Sequence, residues 1–354
     1  MLKLQARAQS ASAWRVGSPV LALLITVVVG AAMLAALGKD PVAGLRLFFW
    51  EPISSLDAWG ELLVKASPLL LIALGLTVCF RSNVWNIGAE GQYVLGAIAG
   101  GGVALLASEN SSPWIVAAIM LAGMLGGMAW AAVVAALRDR FNANEILTSL
   151  MLVYVAIQLL GYLVYGPWKD PQGFNFPQSK VFEDPTMIPR LMDGSRVHMG
   201  LILALLAVAA AWVFLNRTHA GFAQLVGGMA PAAARYAGFS SRKALWRALL
   251  ISGGMAGLAG AIEVAGPIGQ LTPYVPVGYG FAAIIVAFVG RLHPVGIVAS
   301  ALLMSMFYIG GELAQSRLGL PKSITGVFQG LLLYALLACD TLIAYRLVWA
   351  RGGR

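Results

Sequence analysis

Long apolar runs separated by short polar punctuation dominate this chain. A membrane span takes about 20 mostly apolar residues. Runs of that kind fall at about 19–37, 61–80, 91–107, 113–137, 146–165, 198–215, 244–265, 295–309 and 324–344. A further run at 279–289 is short for a span and reads as a re-entrant or broken helix. The pattern predicts an all-α fold: a polytopic membrane bundle of about ten transmembrane helices, some interrupted, in a single transmembrane domain over 1–354.

The polar interruptions differ in character. Residues 38–58 read as a loop, with Trp50 and Trp59 placed like interface anchors. Glu61 and Lys65 stand four apart and can share a helix face. A charged loop occupies 138–145. The segment 166–197, rich in Pro, Asp and Lys, is the largest insertion, yet too short for a domain. Residues 216–243 are basic and rich in Ala and Gly, and 266–273 read as an irregular connection. Gly96-x3-Gly100, Gly123-x3-Gly127 and Gly253-x3-Gly257 signal close helix packing without naming partners.

Composition agrees. Hydrophobic residues make up 59% and charged residues 11%, against about 25% charged in soluble domains. The net charge of +9 would suggest nucleic acid in a soluble protein; here the excess of Lys and Arg in cytoplasmic loops explains it, and no nucleic-acid partner is expected. That excess places both termini, with Lys3, Arg7, Arg15, Arg346, Arg351 and Arg354, on the cytoplasmic side. The tail 1–18 and the loop 216–243 are then cytoplasmic. The loop 166–197 is extracytoplasmic, with acids such as Asp170, Glu183, Asp184 and Asp193. The basic N-terminus before an apolar run resembles a signal peptide, but the run is too long and no small-x-small cleavage site follows, so a retained first helix is expected. Cys79 and Cys339 lie in apolar runs and read as small buried hydrophobes.

The most informative polar stretch runs from Phe80 to Gln92, Phe-Arg-Ser-Asn-Val-Trp-Asn-Ile-Gly-Ala-Glu-Gly-Gln. An ionisable group this near hydrocarbon is costly, so Glu90 needs a reason. Gly88 and Gly91 around it suggest broken or closely packed backbone, tolerated at membrane depth only against protein or a water-filled cavity. Two readings stay open: a stretch that lines or gates a polar path, or a short loop whose Glu90 is a first-turn acid favoured by the helix dipole. A weaker echo recurs at 288–296, again with an Arg after an apolar run and a Gly soon after. Internal repeats with interrupted helices are common in transporters.

No phosphate-binding Gly-x4-Gly-Lys-Ser/Thr loop, metal-spaced Cys/His cluster or nucleophile elbow occurs. His198, His219 and His293 are scattered and read as interfacial. The buried-looking acids Glu90, Glu263 and Asp340 have no evident His or Lys beside them, which argues for transport over catalysis. In 229–238, Pro231 near the front and Gly238 at the end predict a short helix. A second short helix is expected after Ser240 or Ser241, both good N-caps. Such a helix suits docking on a partner protein; the alternative is a membrane-surface helix on anionic lipid, disfavoured by an apolar face made mostly of Ala.

Asn86-Ile87-Gly88-Ala89-Glu90-Gly91-Gln92 resembles a signature of bacterial ABC importer permeases for nucleosides and simple sugars. Four further pieces agree in order: Asn144 to Leu152, Gly166-Pro167-Trp168-Lys169-Asp170-Pro171, Ala233-Ala234-Arg235-Tyr236-Ala237-Gly238, and Gly280-Phe281 followed by Gly290-Arg291-Leu292-His293-Pro294. The length and the Gly-Pro-Trp-Lys-Asp-Pro loop resemble the nucleoside branch. The resemblance implies a multi-pass permease of the bacterial inner (plasma) membrane, surrounded by lipid, that translocates a nucleoside or related ribose-containing solute. It implies a second homologous permease, an ABC ATPase that hydrolyses ATP with Mg on its own chain, and an extracytoplasmic substrate-binding protein. No cofactor is implied on this chain, and no enzymatic step. Asn86, Glu90, Gln92 and Glu263 are the expected substrate-path residues; Pro231, Ala234, Arg235, Tyr236 and Gly238 are expected to shape the ATPase contact. Ala230-Pro231-Ala232 departs from the family's Asn-Pro-Glu, so the helix lacks its capping side chain. Alternatives are a simple-sugar substrate, or a proton-coupled secondary transporter using Glu90 or Glu263.

Overall fold

The computed structural model describes residues 2–6, 12–192 and 194–349. Arg7, Asp193, Arg351 and Arg354, used above to orient the chain, lie outside the described residues. In order, the elements are β1 (Leu2–Ala6), α1 (Ser12–Ala36), α2 (Pro41–Phe49), α3 (Leu56–Arg81), α4 (Ala89–Leu105), α5 (Ile115–Phe141), α6 (Glu145–Tyr165), α7 (Gly200–Arg217), α8 (His219–Met229), α9 (Pro231–Tyr236), α10 (Ser241–Glu263), α11 (Tyr279–Val289), α12 (Pro294–Leu318), α13 (Ser323–Ala344) and β2 (Tyr345–Trp349). Eight of the described helices are long and apolar enough to cross a membrane. Two more complete the expected set. α4 has 17 residues. α11 has 11 residues, about 16 Å at 1.5 Å per residue, far short of a 30 Å hydrocarbon core. The chain is an all-α polytopic bundle, with one two-stranded antiparallel ribbon pairing β1 and β2.

Contacts divide the chain into two compact units, residues 60–305 and residues 1–59 with 306–354. In the larger unit α3 and α10 are mostly buried, whereas α6 and α7 turn most of their surface outward. α3 carries no polar stripe, as expected of a helix bounded by other helices or by lipid.

The densest packing joins α4, α5 and α10, and the three Gly-x3-Gly patterns meet one another there. A Cβ on Gly96 would collide with Gly257, one on Gly127 with the Gly253 carbonyl, and one on Gly257 with the Gly123 carbonyl. Lipid gives no hydrophobic drive for helices to associate, so such close backbone approach supplies the attraction through dispersion contacts.

The smaller unit has an aromatic centre. Phe48 stacks on Phe328 with ring centroids 4.4 Å apart, and Phe307 meets Phe48 edge-on at 6.5 Å. Gly30 lies against the Phe328 ring and Gly310 against Phe48. Ser18 donates to Asp340 at 2.6 Å. Cys79 and Cys339, each in its own unit, are free and buried.

Several expectations need correction. The loop 38–58 contains α2, started by Asp40, whose carboxylate accepts the Val42 N–H at 2.9 Å, and by Pro41 in the first turn. Asp-Pro is a helix-start signal too local for a hydropathy run to register. The helix after Ser240 is no short one: Ser240 caps α10, the long span itself. α8 was not anticipated, and α12 continues to Leu318, well past the expected end at 309. α1 begins at Ser12, inside the expected tail 1–18. The loop 166–197 is stitched by backbone bonds to the turn after α10, Ser179 to Leu271, Phe182 to Gly269 and Ile188 to Ala265. That turn is a π-helical Val264–Ile268 closed by Gly269 at φ 74°. Glu61 holds the same loop through a bidentate pair with Arg196.

The glycine contact makes a direct forecast. Gly257→Ala should lower the stability of the detergent-solubilised protein by about 1–3 kcal/mol through overpacking. Gly161→Ala, in α6 where a Cβ meets nothing within 4 Å, should stabilise by about 0.5–1 kcal/mol. Thermal unfolding of the two variants side by side checks both signs.

Candidate functional site

The site grows from the turn after α3. Ser82 and Val84 turn back to bond carbonyls of α3's last turn, and Asn83 takes φ 54°, a left-handed value that Asn tolerates. The chain then runs through residues 84–88 into α4. Asn86 is fully buried and closes a polar knot. Its amide donates to Gln92 at 2.9 Å and to Ser252 of α10 at 3.0 Å. Its carbonyl oxygen accepts from Gln92 at 3.1 Å and from the Gly88 N–H at 3.0 Å. Buried amides must be partnered, and Asn86 and Gln92 partner each other.

Glu90 sits in the first turn of α4 at 1% exposure. Its carboxylate turns away from its own helix to the start of α11. One oxygen accepts the Gly278 N–H at 2.8 Å, the other the Gly280 N–H at 2.5 Å. These are donors that a helix N-terminus leaves unsatisfied, and the dipole there favours an anion. Gly278 stands at φ 88°, and a Cβ on Gly280 would collide with the Glu90 backbone. Glycine at both places lets the two segments approach this closely.

The far end of α11 is held from the same stretch. Arg81 donates through Nε to the Leu292 carbonyl at 3.0 Å. Arg291 and Leu292 turn the chain there at φ 60° and 52°. Phe80 stacks on Phe288 at 5.0 Å, with Trp85 6.2 Å from the same ring. The two sequence-echoing pieces, 80–92 and 288–296, therefore pack on each other. α6 closes the remaining side. Ser149 accepts the Ile87 N–H at 3.2 Å, and Gly88 and Gly91 lie against Ser149 and Val153. Sequence reasoning gave no site role to Ser149, Ser252, Gly278 and Gly280, to which Ile87, Asn86 and Glu90 bond, nor to Arg81, which holds Leu292. A single sequence carries no signal linking positions so far apart.

Glu263 does not join this knot. It ends α10, eleven residues beyond Ser252 and so about 16 Å further along the helix. A cavity of about 640 Å³ lies beside the following turn, lined by Gly266, Pro267, Asp184, Arg190 and His198. His198 is buried, not interfacial. Its Nδ1 accepts the Gly200 N–H at 3.1 Å, which fixes the tautomer with hydrogen on Nε2.

At the other end of α10, α8 and α9 form a bracket. Pro231 opens α9, and no side chain caps Ala230. The C-terminal end is closed by Gly238 N–H to the Arg235 carbonyl at 3.0 Å and Phe239 N–H to the Ala234 carbonyl at 2.9 Å. With Gly238 at φ 82°, this is the Schellman closure that Gly permits. Ala234 is buried while Arg235 and Tyr236 project outward, Tyr236 96% exposed. α8 ties the bracket to the bundle. Gln224 donates to the Ala244 carbonyl at 3.1 Å, and Gly228 lies against the backbone of Arg81, Ser82 and Asn83. α9 is thus two steps from the turn that leads into Asn86 and Glu90.

Known proteins share this chain's sequence along most of its length. A family model described as branched-chain amino acid transport system / permease component matches residues 59–337. The glucose ABC transporter permease protein of Haloferax volcanii is 35% identical over 340 residues, covering 93% of this chain and 89% of that protein. The guanosine ABC transporter permease protein of Bacillus subtilis is 28% identical, covering 87% of this chain and 89% of its own length. The nucleoside ABC transporter permease protein of Lactococcus lactis is 25% identical, covering 89% of each. The matched stretch contains the knot, the clamp on α11 and the α8–α9 bracket, and on that match the chain belongs to the branched-chain amino acid transport system permease component family.

Proposed function

We propose that this chain is one permease subunit of an ABC importer and that its solute is a nucleoside or a related ribose-containing molecule. The observation that carries the reading is the α8–α9 bracket. An outward-facing Arg235 and Tyr236 sit on a helix locked at its C-terminal end, and α8 rests by Gly228 on the Arg81–Asn83 turn. A push on α9 reaches α3, α4 and α11 through that turn. In this reading an ATPase on the cytoplasmic side hydrolyses ATP with Mg and moves α9, placing Pro231, Ala234, Arg235, Tyr236 and Gly238 at the coupling contact. The loop 166–197 faces outward to a substrate-binding protein, both termini are cytoplasmic, and a second homologous permease completes the path.

Within this scheme Asn86, Glu90 and Gln92 act as a gate lock more than as a lining. Their polar atoms are turned into protein, and Glu90 fixes the start of the half-span α11 to α4. Opening a path beside α11 requires that clamp to travel as a unit or to release. Glu263, at the head of the π turn, stays the candidate for the outer part of the path. A proton-coupled mechanism finds less support, because both Glu90 oxygens are committed to backbone N–H groups. A simple sugar is the second reading for the solute, favoured by the 35% identity to a glucose permease.

Uptake by proteoliposomes holding this chain with its companion permease, ATPase and binding protein tests the proposal. ATP-dependent uptake of labelled adenosine or guanosine that excess glucose and ribose leave unchanged is expected. Uptake of glucose alone would transfer the reading to sugars, and uptake by this chain alone without ATP would overturn it. Glu90→Gln turns an amide N–H₂ toward N–H donors and removes the charge from the α11 terminus. It should cost about 1.5–3 kcal/mol of stability and slow uptake severalfold; wild-type melting and rate together would rule out the clamp. Arg235→Glu should leave the permease folded and reduce ATPase stimulation in the assembled complex, with unchanged stimulation counting against α9 as the contact.

A further inference from the structure

Two cavities lie end to end along one face of α10. The first, about 290 Å³, is a polar mouth bounded by His219 and Ala223 of α8 and by Ser240, Lys243, Ala244 and Arg247. The second, about 240 Å³, is a slot between Leu74 and Val78 of α3, Ala211 and Phe214 of α7, and Ile251 and Met255 of α10; every residue lining it is apolar or Gly. Arg247, Ile251 and Met255 succeed one another at intervals of four and so share a helix face. Ile251, on the slot wall, therefore lies about 6 Å along the helix from Arg247.

The mouth is cationic without internal compensation. Arg242 is paired with Asp139 at 2.7 Å, but Lys243 and Arg247 have no ion-pair partner among the described residues. Lys243 also stands in the first turn of a 23-residue helix, where the dipole disfavours a cation and favours an anion. Two tryptophans mark the level. Trp212 lies under Arg217 at 5.5 Å on α7, and Trp246 on α10 donates to Asp139 at 3.1 Å; Trp beside cations gathers at the membrane–water interface. α7 packs mainly on α8, and the slot lies between it and the α3–α10 pair. Inside a bilayer such an apolar gap is filled by hydrocarbon.

We propose that mouth and slot together hold one anionic phospholipid, its phosphate on Lys243 and Arg247 and one acyl chain between α7 and the α3–α10 pair. The inference rests on the chain's membrane character and is independent of the solute; the mouth also touches Ala234 and Gly238 of the α9 bracket. A lipid seated there joins α8 to α10 beside Gln224, and so sets how firmly the α8–α9 bracket is held.

Native mass spectrometry of the full chain in detergent, offered dioleoyl phosphatidylglycerol or dioleoyl phosphatidylcholine, tests it. Wild type should retain phosphatidylglycerol about twenty-five-fold better, two cations each contributing about fivefold. The Lys243→Gln/Arg247→Gln pair should bring the two lipids to equal retention. Ala211→Phe, which fills the slot, should lower retention of both; Ala207, one helical turn before Ala211, also lines the slot, and Ala207→Leu is the second slot variant if the first fails to fold by circular dichroism. Equal retention of the two lipids by wild type would overturn the proposal, as would a slot variant that folds and binds lipid normally. Displacement of the lipid by equimolar glycerol phosphate would reassign the mouth to a free anion. Expulsion of the lipid on adding the ATPase would reassign it to acidic side chains of that partner.

Discussion

A helix of eleven residues cannot cross a bilayer, and the rest of the larger unit is arranged around making one tolerable. Both ends of α11 stop inside protein, where each unsatisfied backbone group costs several kcal/mol. Glu90 supplies two acceptors to its N-terminus, and Arg81 binds the turn that closes its C-terminus. An acid at the positive end and a base at the negative end also oppose the helix dipole correctly. The ten residues from Arg81 to Glu90 thus span the half-helix like a bracket. The packing that keeps water out comes from α4, α5 and α10, whose glycines allow backbone to meet backbone.

This arrangement explains why so many polar residues survive in an apolar chain. Asn86, Gln92, Ser252 and Ser149 each meet a partner on another segment, so none is left bare in the interior. Their bonds run across α4, α6 and α10 and fix how these helices sit relative to one another. Polar groups in such places act through register as well as through energy; a shift of one residue in α4 would separate Gln92 from Asn86 and Glu90 from α11 together. The α8–α9 bracket rests on the first residues of the same stretch. Movement at the surface and strain at the clamp therefore share one short piece of backbone.

The sequence announced much of this and was silent on the rest for identifiable reasons. Hydropathy located all ten apolar segments, because burial in lipid or among helices demands long runs whatever the tertiary contacts. Pro231 and Gly238 marked α9 because their backbone preferences are local. Glu90 stood out through its cost. Its destination did not, since the acceptor is met by backbone N–H groups nearly two hundred positions away. The Gly-x3-Gly patterns predicted close packing without partners, and only the fold shows that the three meet each other. α8 was missed although Phe222, Leu225, Val226 and Met229 stand at helical spacing, because the stripe is short and sits in a basic, Ala- and Gly-rich segment that reads as a loop. The loop 166–197 hid its order in backbone pairing to 265–271, which no side-chain pattern advertises.

The clamp between Glu90 and α11 has an asymmetric chemistry: one side is a particular side chain, the other is main-chain amide. Every residue except proline offers the same amide. Positions 278 and 280 can satisfy Glu90 without any matching change of side chain, and their glycines answer to space and to φ instead. A contact of this kind leaves no paired substitutions for evolution to record. The bond that holds α11 in place is therefore invisible to any search for matching side chains.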